Sequence, residues 1–410
     1  MSNFTQYSID PALIEALNAM HIQDPTPVQA ATIPIALKGA DVLASAQTGT
    51  GKTLAYVIPM LSHLSQNPKH TALILAPTRE LAMQVQQTLQ RLNSVRVTLL
   101  IGGTSIFKEV SELRRHPRVI VGTPGRVTDH LNRKTLSLDA THFLVIDEAD
   151  RMLDMGFGIQ LDNIAKFLPE TRQTLMFSAT LPPNMNKLTA KYLKNPERIS
   201  IGSTIAPSAQ VKLENIHVSQ EEKFPILLEN LEKREGSIIV FVKTKRGADK
   251  LSKELKEYGH STHAIHGDLS QQRRGKVIHA FRQQKTRILV ATDVAARGLD
   301  IPHVMHVINY DLPTSPEDYI HRIGRTGRAG AEGHAMCLIS PGDHLKWKAI
   351  HRMMNPSAPK QQENPRSPTQ KQQQRRKDRK PFPSRHGKER GFRPAKKSFK
   401  QPPRERSLRG

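Results

Sequence analysis

Eleven short apolar runs, separated by longer amphipathic stretches, leave this chain few folds to adopt. The runs fall at 41–46, 71–76, 95–101, 118–121, 142–146 and 174–177, and again at 237–242, 261–265, 287–290, 304–308 and 334–339. Segments between them, such as 80–92 and 247–257, repeat apolar residues at helical spacing. That alternation predicts an α/β protein with parallel strands. Between the two sets lies 195–210 (NPERISIGSTIAPSAQ), rich in Pro, Ser and Gly and poor in periodicity. It holds a linker, near 203–210, between a first domain, 1–205, and a second, 206–355. A chain of 410 residues has room for two such domains and a tail.

The last segment, 356–410, is of different material. It holds 18 Lys or Arg against 4 Asp or Glu, with one Leu and no Ile or Val. Such a segment buries too little apolar surface to offset the entropy of ordering it, and it is expected to be a disordered basic tail. Its phenylalanines, Phe382, Phe392 and Phe399, interleave with basic residues in a pattern that suits stacking on single-stranded bases. Over the whole chain 61 Lys and Arg oppose 37 Asp and Glu, a net +24 that points to a polyanionic partner. A single cysteine, Cys337, excludes an intrachain disulfide framework and fits a reducing compartment. With no signal-peptide pattern at the start and no apolar run of spanning length, a cytoplasmic protein with no membrane contact is expected.

Polar clusters begin where the apolar runs end, which in an open parallel sheet gathers them on one edge. Ala46-Gln47-Thr48-Gly49-Thr50-Gly51-Lys52-Thr53 follows the first run and precedes a helical stretch, 54–64. This is a phosphate-binding loop: backbone N–H groups surround the phosphates, Lys52 reaches the β and γ groups, and the Thr53 hydroxyl ligates Mg²⁺. Asp147-Glu148-Ala149-Asp150 ends the fifth run. Asp147 is placed to hold Mg²⁺ and Glu148 to accept a proton from an attacking water. In the second half, His321-Arg322-Ile323-Gly324-Arg325-Thr326-Gly327-Arg328 carries three arginines broken by glycines. Planar guanidinium groups suit the charge of a transferring phosphoryl group, and a basic nucleic-acid surface is the competing reading.

Taken together and in this order, the motifs resemble the DEAD-box family of ATP-dependent RNA helicases over residues 4–345. The resemblance implies two tandem RecA-like domains, with ATP and Mg²⁺ as cofactors and RNA as partner. It places Phe4 and Gln29, of Pro25-Thr26-Pro27-Val28-Gln29, on the adenine. The family's usual Gly-Phe is His21-Ile22 here, so an aromatic that packs on the base is replaced. It implies that Pro77, Thr78, Arg79, Gly102, Thr123, Pro124 and Arg126 grip RNA from the first domain. From the second come Gly267, Gln271, Arg274 and Thr292. Ser178-Ala179-Thr180 would couple hydrolysis to strand separation, and Gly298 and Asp300 would meet the nucleotide. Arg325 and Arg328 would be the γ-phosphate fingers.

The expected activity is RNA-dependent ATP hydrolysis that separates short duplexes locally or remodels RNA–protein complexes, by a monomer whose core reads no base sequence. An ATP-gated RNA clamp or assembly chaperone uses the same residues, and a DNA helicase is a third class. The 18 histidines show no ligand spacing. Cys337 and Trp347 read as packing residues, and Met152, Met155 and Phe157 as the core of a helix.

Overall fold

The computed structural model describes residues 3–46, 49–92, 95–180, 185–201, 211–296, 301, 303–327 and 331–355. The basic tail with its phenylalanines lies outside them, as do Gln47, Thr48, Gly298, Asp300 and Arg328.

Two parallel sheets organise the chain up to residue 358. The first contains β1 (Val42–Ala46), β2 (Thr71–Leu75), β3 (Val97–Leu100), β4 (Val119–Gly122), β5 (Thr141–Ile146), β6 (Gln173–Ser178) and β7 (Glu197–Ile201). Their spatial order is β3-β4-β2-β5-β6-β1-β7. The second contains β8 (Val211–His217), β9 (Ser237–Phe241), β10 (Thr262–Ile265), β11 (Ile288–Ala291), β12 (Val304–Asn309) and β13 (Gly333–Ile339), ordered β10-β11-β9-β12-β13-β8. Parallel neighbours need crossovers, and helices such as Lys52–Gln66, Arg79–Leu92 and Lys245–Glu257 supply them.

Each sheet is covered on both faces. In β2, Ala72 and Ile74 join one buried cluster while Leu73 and Leu75 join another. In β9, Ile239 and Phe241 face one cluster and Ile238 and Val240 the other. A strand with helices on both sides needs apolar residues at every position, and this is what made the runs visible.

Two strands were not expected. β7 lies inside the stretch 195–210, ahead of the linker expected near 203–210: Ile199 pairs with Ala44 at the end of the first sheet. β8 closes the second sheet, pairing with β13 through seven residues from Val211 to His217. Both are edge strands with exposed positions between buried ones, and Lys212 and Glu214 on β8 face solvent. Charged residues there discourage pairing with another chain, and they also break the apolar run. The link between the sheets is 202–210, outside the described residues.

Cys337 is fully buried on β13. Trp347 packs on the second lobe's core, edge-on to Tyr319 at 6.3 Å between ring centroids. Among the described residues no helix is long and apolar enough to cross a membrane.

Candidate functional site

The loop after β1 ends in Gly51, the N-cap of the helix Lys52–Gln66, at φ +89°. A Cβ there would lie 2.5 Å from Nε2 of Gln29, so both the left-handed backbone and the close approach require glycine. Gln29 is buried and donates from Nε2 to Gly51 O at 2.9 Å, while its Oε1 accepts from Thr26 N at 2.9 Å. The glutamine thus joins the start of the helix Pro27–Leu37 to the phosphate loop. Phe4 is 1% exposed and packs edge-on to Tyr7 within the first lobe's core. His21 sits at φ +58°, the kind of position that glycine occupies without strain.

Lys52 donates from Nζ to Ala46 O at 2.9 Å and is nearly buried. One helical turn on, Tyr56 donates to Asp147 Oδ2 at 3.0 Å and also bonds Thr53. Asp147 Oδ1 is buried with no hydrogen-bond partner. Burial pushes the Asp147 acid up to about 6, aided by Glu148 and opposed by Lys52 and the Tyr56 hydroxyl. Glu148 caps the helix Ala149–Asp154 in a left-handed conformation, φ +52°. Burial would raise its pKa, but Arg151, Lys52 and Arg325 outweigh that and hold it below the usual carboxylate range. Lys52 comes from the first lobe and Arg325 from the second. The two cations therefore already act on one carboxylate.

Arg151, fully buried, links the lobes as well. It donates from Nη1 to Glu148 Oε2 at 2.8 Å and from Nε to His321 Nδ1 at 3.2 Å. It lies one residue past the acidic motif and was not expected at the site. Asp150, named only as part of its motif, accepts from Ala179 N at 3.1 Å and from Thr180 N and Oγ1 at 2.8 Å. Ser178 Oγ donates to Thr180 O at 2.5 Å. The acidic motif and the Ser178-Ala179-Thr180 segment are thus one hydrogen-bonded unit. Arg322 is a structural lock on its own lobe: it pairs with both oxygens of Asp293, at 2.5 and 2.7 Å, and lies over the Phe241 ring.

A groove of about 520 Å³ runs between the lobes. Its lining includes Pro77, Thr78, Arg79, Gly102, Thr123, Arg126, Gly267, Gln271 and Arg274, all of the expected RNA residues except Pro124 and Thr292. Pro124 opens the helix Pro124–Asn132, and Thr292 is nearly buried after β11. Met155 and Phe157 also line the groove, which corrects the expected core place of Met155; Phe157 packs on the core beneath as well, and Met152 is fully buried. Gly103, at φ +84°, lets Arg79 lie across this strand end, since a Cβ there would meet the guanidinium at 2.5 Å. Two pairs of groove residues meet across the lobes. Arg274 Nε pairs with Glu80 Oε1 at 2.5 Å, and Arg79 Nη1 donates to Gln271 Oε1 at 3.3 Å. Arg126 is held by Glu109 at 2.6 Å and by Thr104 O at 2.9 Å.

No group of three or more His, Cys, Asp or Glu among the described residues is arranged to hold a metal by itself. A cation shared with phosphates needs fewer protein ligands, and the unpartnered Oδ1 of Asp147 fits that role.

The chain matches two family models: DEAD/DEAH box helicase at residues 26–188 and helicase conserved C-terminal domain at 222–330. It is 44% identical over 346 residues to the ATP-dependent RNA helicase CshA of Listeria monocytogenes, covering 83% of this chain and 66% of that one. To the CshA of Limosilactobacillus reuteri it is 43% identical over 345 residues, 83% of this chain and 69% of the relative. Among solved structures, S. cerevisiae Dbp5 bound to RNA and ADP BeF3 is similar with a TM-score of 0.78 and 33% identity, covering 86% of this chain and 94% of that chain. Agreement in motif order, in fold and in sequence over most of its length settles the family: the chain belongs to the DEAD-box ATP-dependent RNA helicases.

Proposed function

We propose that this chain closes its two lobes on ATP and RNA, separates a short duplex or displaces a bound protein, and reopens after hydrolysis. The observation that carries this reading is Arg151, which bonds Glu148 in the first lobe and His321, of the Arg325 motif, in the second. Chemistry then depends on closure, because neither lobe holds the full set of charges.

Glu148, kept ionised by the surrounding cations, accepts a proton from the attacking water. Lys52 and Arg325 donate to the oxygens of the transferring phosphoryl group, where negative charge spreads. Backbone N–H groups of Gly49, Thr50 and Gly51 cradle the phosphates, and Gln29 reports that loop's position to the helix Pro27–Leu37. Thr53 and Asp147 are the residues that would hold Mg²⁺, which when bound supplies neutralising charge to the phosphate oxygens. Asp150 ties the Ala179-Thr180 backbone to the acidic motif, so a shift at Glu148 reaches the segment expected to couple hydrolysis to strand separation. Gln47, Thr48, Gly298, Asp300 and Arg328 keep their expected nucleotide roles, outside the described residues. We place the domain boundary between Ile201, ending β7, and Val211, starting β8, and read the domains as 1–205 and 206–355.

Glu148→Gln should retain ATP-dependent RNA binding and lose hydrolysis by roughly 10²- to 10⁴-fold. Turnover near the parent's would remove Glu148 from the mechanism. The RNA clamp is a second reading, favoured by the covered Glu80–Arg274 pair that holds the lobes together. Strand release from a short duplex, measured beside the lifetime of the ATP-bound RNA complex, separates the two: slow release with a long lifetime supports the clamp.

A further inference from the structure

We propose that the outer face of the helix Ile106–Leu113, with Phe107 as its stacking ring, extends the RNA path beyond the interlobe groove. This rests on the groove being the RNA site. Phe107 is 85% exposed and belongs to none of the four core clusters. Single exposed apolar side chains are common on protein surfaces, so the ring counts here for the cations on its helix. The helix has other residues for packing: Glu109 is buried, and Ile106, Val110 and Leu113 are half-buried. Phe107 is two residues from Glu109, about 200° around the helix, and so faces away from the lobe.

The face is attached rigidly to the groove wall. Glu109 Oε1 accepts from Ile101 N at 3.2 Å and from Thr104 Oγ1 at 2.5 Å. Its Oε2 takes Arg126 Nε at 2.6 Å and lies 2.9 Å from His130 Nε2. Arg126 and Gly102 both line the groove. Phe107 follows Gly102 by five residues, so their Cα atoms lie within about 18 Å, a span of a few nucleotides.

Charge selects the occupant. Lys108, Arg114 and Arg115, on and just past this helix, are exposed, as is Ser111, while its acids are the buried Glu109 and the half-buried Glu112. Cations for phosphates around a single flat ring suit a single strand of nucleic acid. A second protein copy would need a broader apolar patch than one phenylalanine.

The test compares oligouridines of about six and about fifteen nucleotides, with a non-hydrolysable ATP analogue and full-length protein. Phe107→Ala should weaken the long oligomer roughly 5- to 150-fold and leave the short one within about twofold, while Phe107→Trp keeps parent affinity. Replacing Lys108, Arg114 and Arg115 by Gln should lower the salt slope for the long oligomer alone, by about 0.7 for each phosphate no longer neutralised. Equal affinity of Phe107→Ala and parent for the long oligomer would overturn the proposal, and so would an equal loss for both lengths. A change in sedimentation without a change in RNA affinity would assign the face to self-association and overturn it too. If the parent bound neither oligomer, the groove reading itself would fall first.

Discussion

The contact between Glu80 and Arg274 makes closure measurable. Both side chains are nearly covered, and the pair, 2.5 Å apart, joins the two lobes across 194 residues of sequence. Glu80→Gln leaves the Arg274 guanidinium in the closed groove with the Ala295 carbonyl, at 2.6 Å, and no opposite charge from Glu80. In an open molecule both groups would return to water, so the cost falls on closure and not on folding. Stranding one member of such a covered pair costs about 3 kcal/mol, roughly 150-fold in a closed-state equilibrium. RNA affinity with a non-hydrolysable ATP analogue should fall by about that factor in Glu80→Gln and change little without nucleotide. Arg274→Ala loses its groove surface as well, so a double-mutant cycle is needed to isolate the pair. The coupling energy should exceed about 1.5 kcal/mol. Single effects that add to within about 0.5 kcal/mol, or an equal loss without nucleotide, would refute the closure argument.

Other expectations test the surrounding scaffold. His21→Gly removes a left-handed non-glycine residue just after the helix Pro11–Ala19 and should raise the first lobe's melting temperature by about 2–4 °C in differential scanning calorimetry. Tyr56→Phe withdraws the donor from Asp147 Oδ2 and should destabilise that lobe by about 1–3 kcal/mol in urea unfolding. Burial holds the His306 imidazole down at about 4 against an ordinary 6.5, while Nε2 bonds Glu235 O at 2.9 Å. The unfolded chain therefore binds this proton first, and stability is lost as pH falls from about 6.5 to about 4. His306→Gln should flatten the second lobe's thermal stability across that window; an unchanged slope would exclude His306 as its source.

How much of this was legible in the sequence depended on burial and distance. Strands covered on both faces, such as β2 and β5, announced themselves as unbroken apolar runs. β7 and β8 did not, because an edge strand spends half its positions on solvent and the polar residues at 197–198, 212 and 214–215 hide its pattern. Phosphate-loop chemistry was readable because its parts are neighbours in sequence. The pairing of Arg274 with Glu80 was not, since an arginine at a strand-end motif suits a phosphate as well as a carboxylate. Tyr56 was missed for a related reason: its hydroxyl matters only because β5 brings Asp147 to it from 91 residues away. The spacing from Lys52 to Tyr56, one helical turn, was the available signal. Met155 follows Met152 at helical spacing, but the helix Ala149–Asp154 ends just before it and delivers it to the groove.

Single-turnover ATP hydrolysis with RNA bound, comparing the parent with Arg325→Ala, bears most directly on a catalytic centre shared between the lobes. Arg325→Ala should bind ATP and RNA within a few-fold of the parent while its chemical step slows by about 10³-fold or more. A chemical step as fast as the parent's would mean that the first lobe hydrolyses ATP without help, and the shared centre would have to be abandoned.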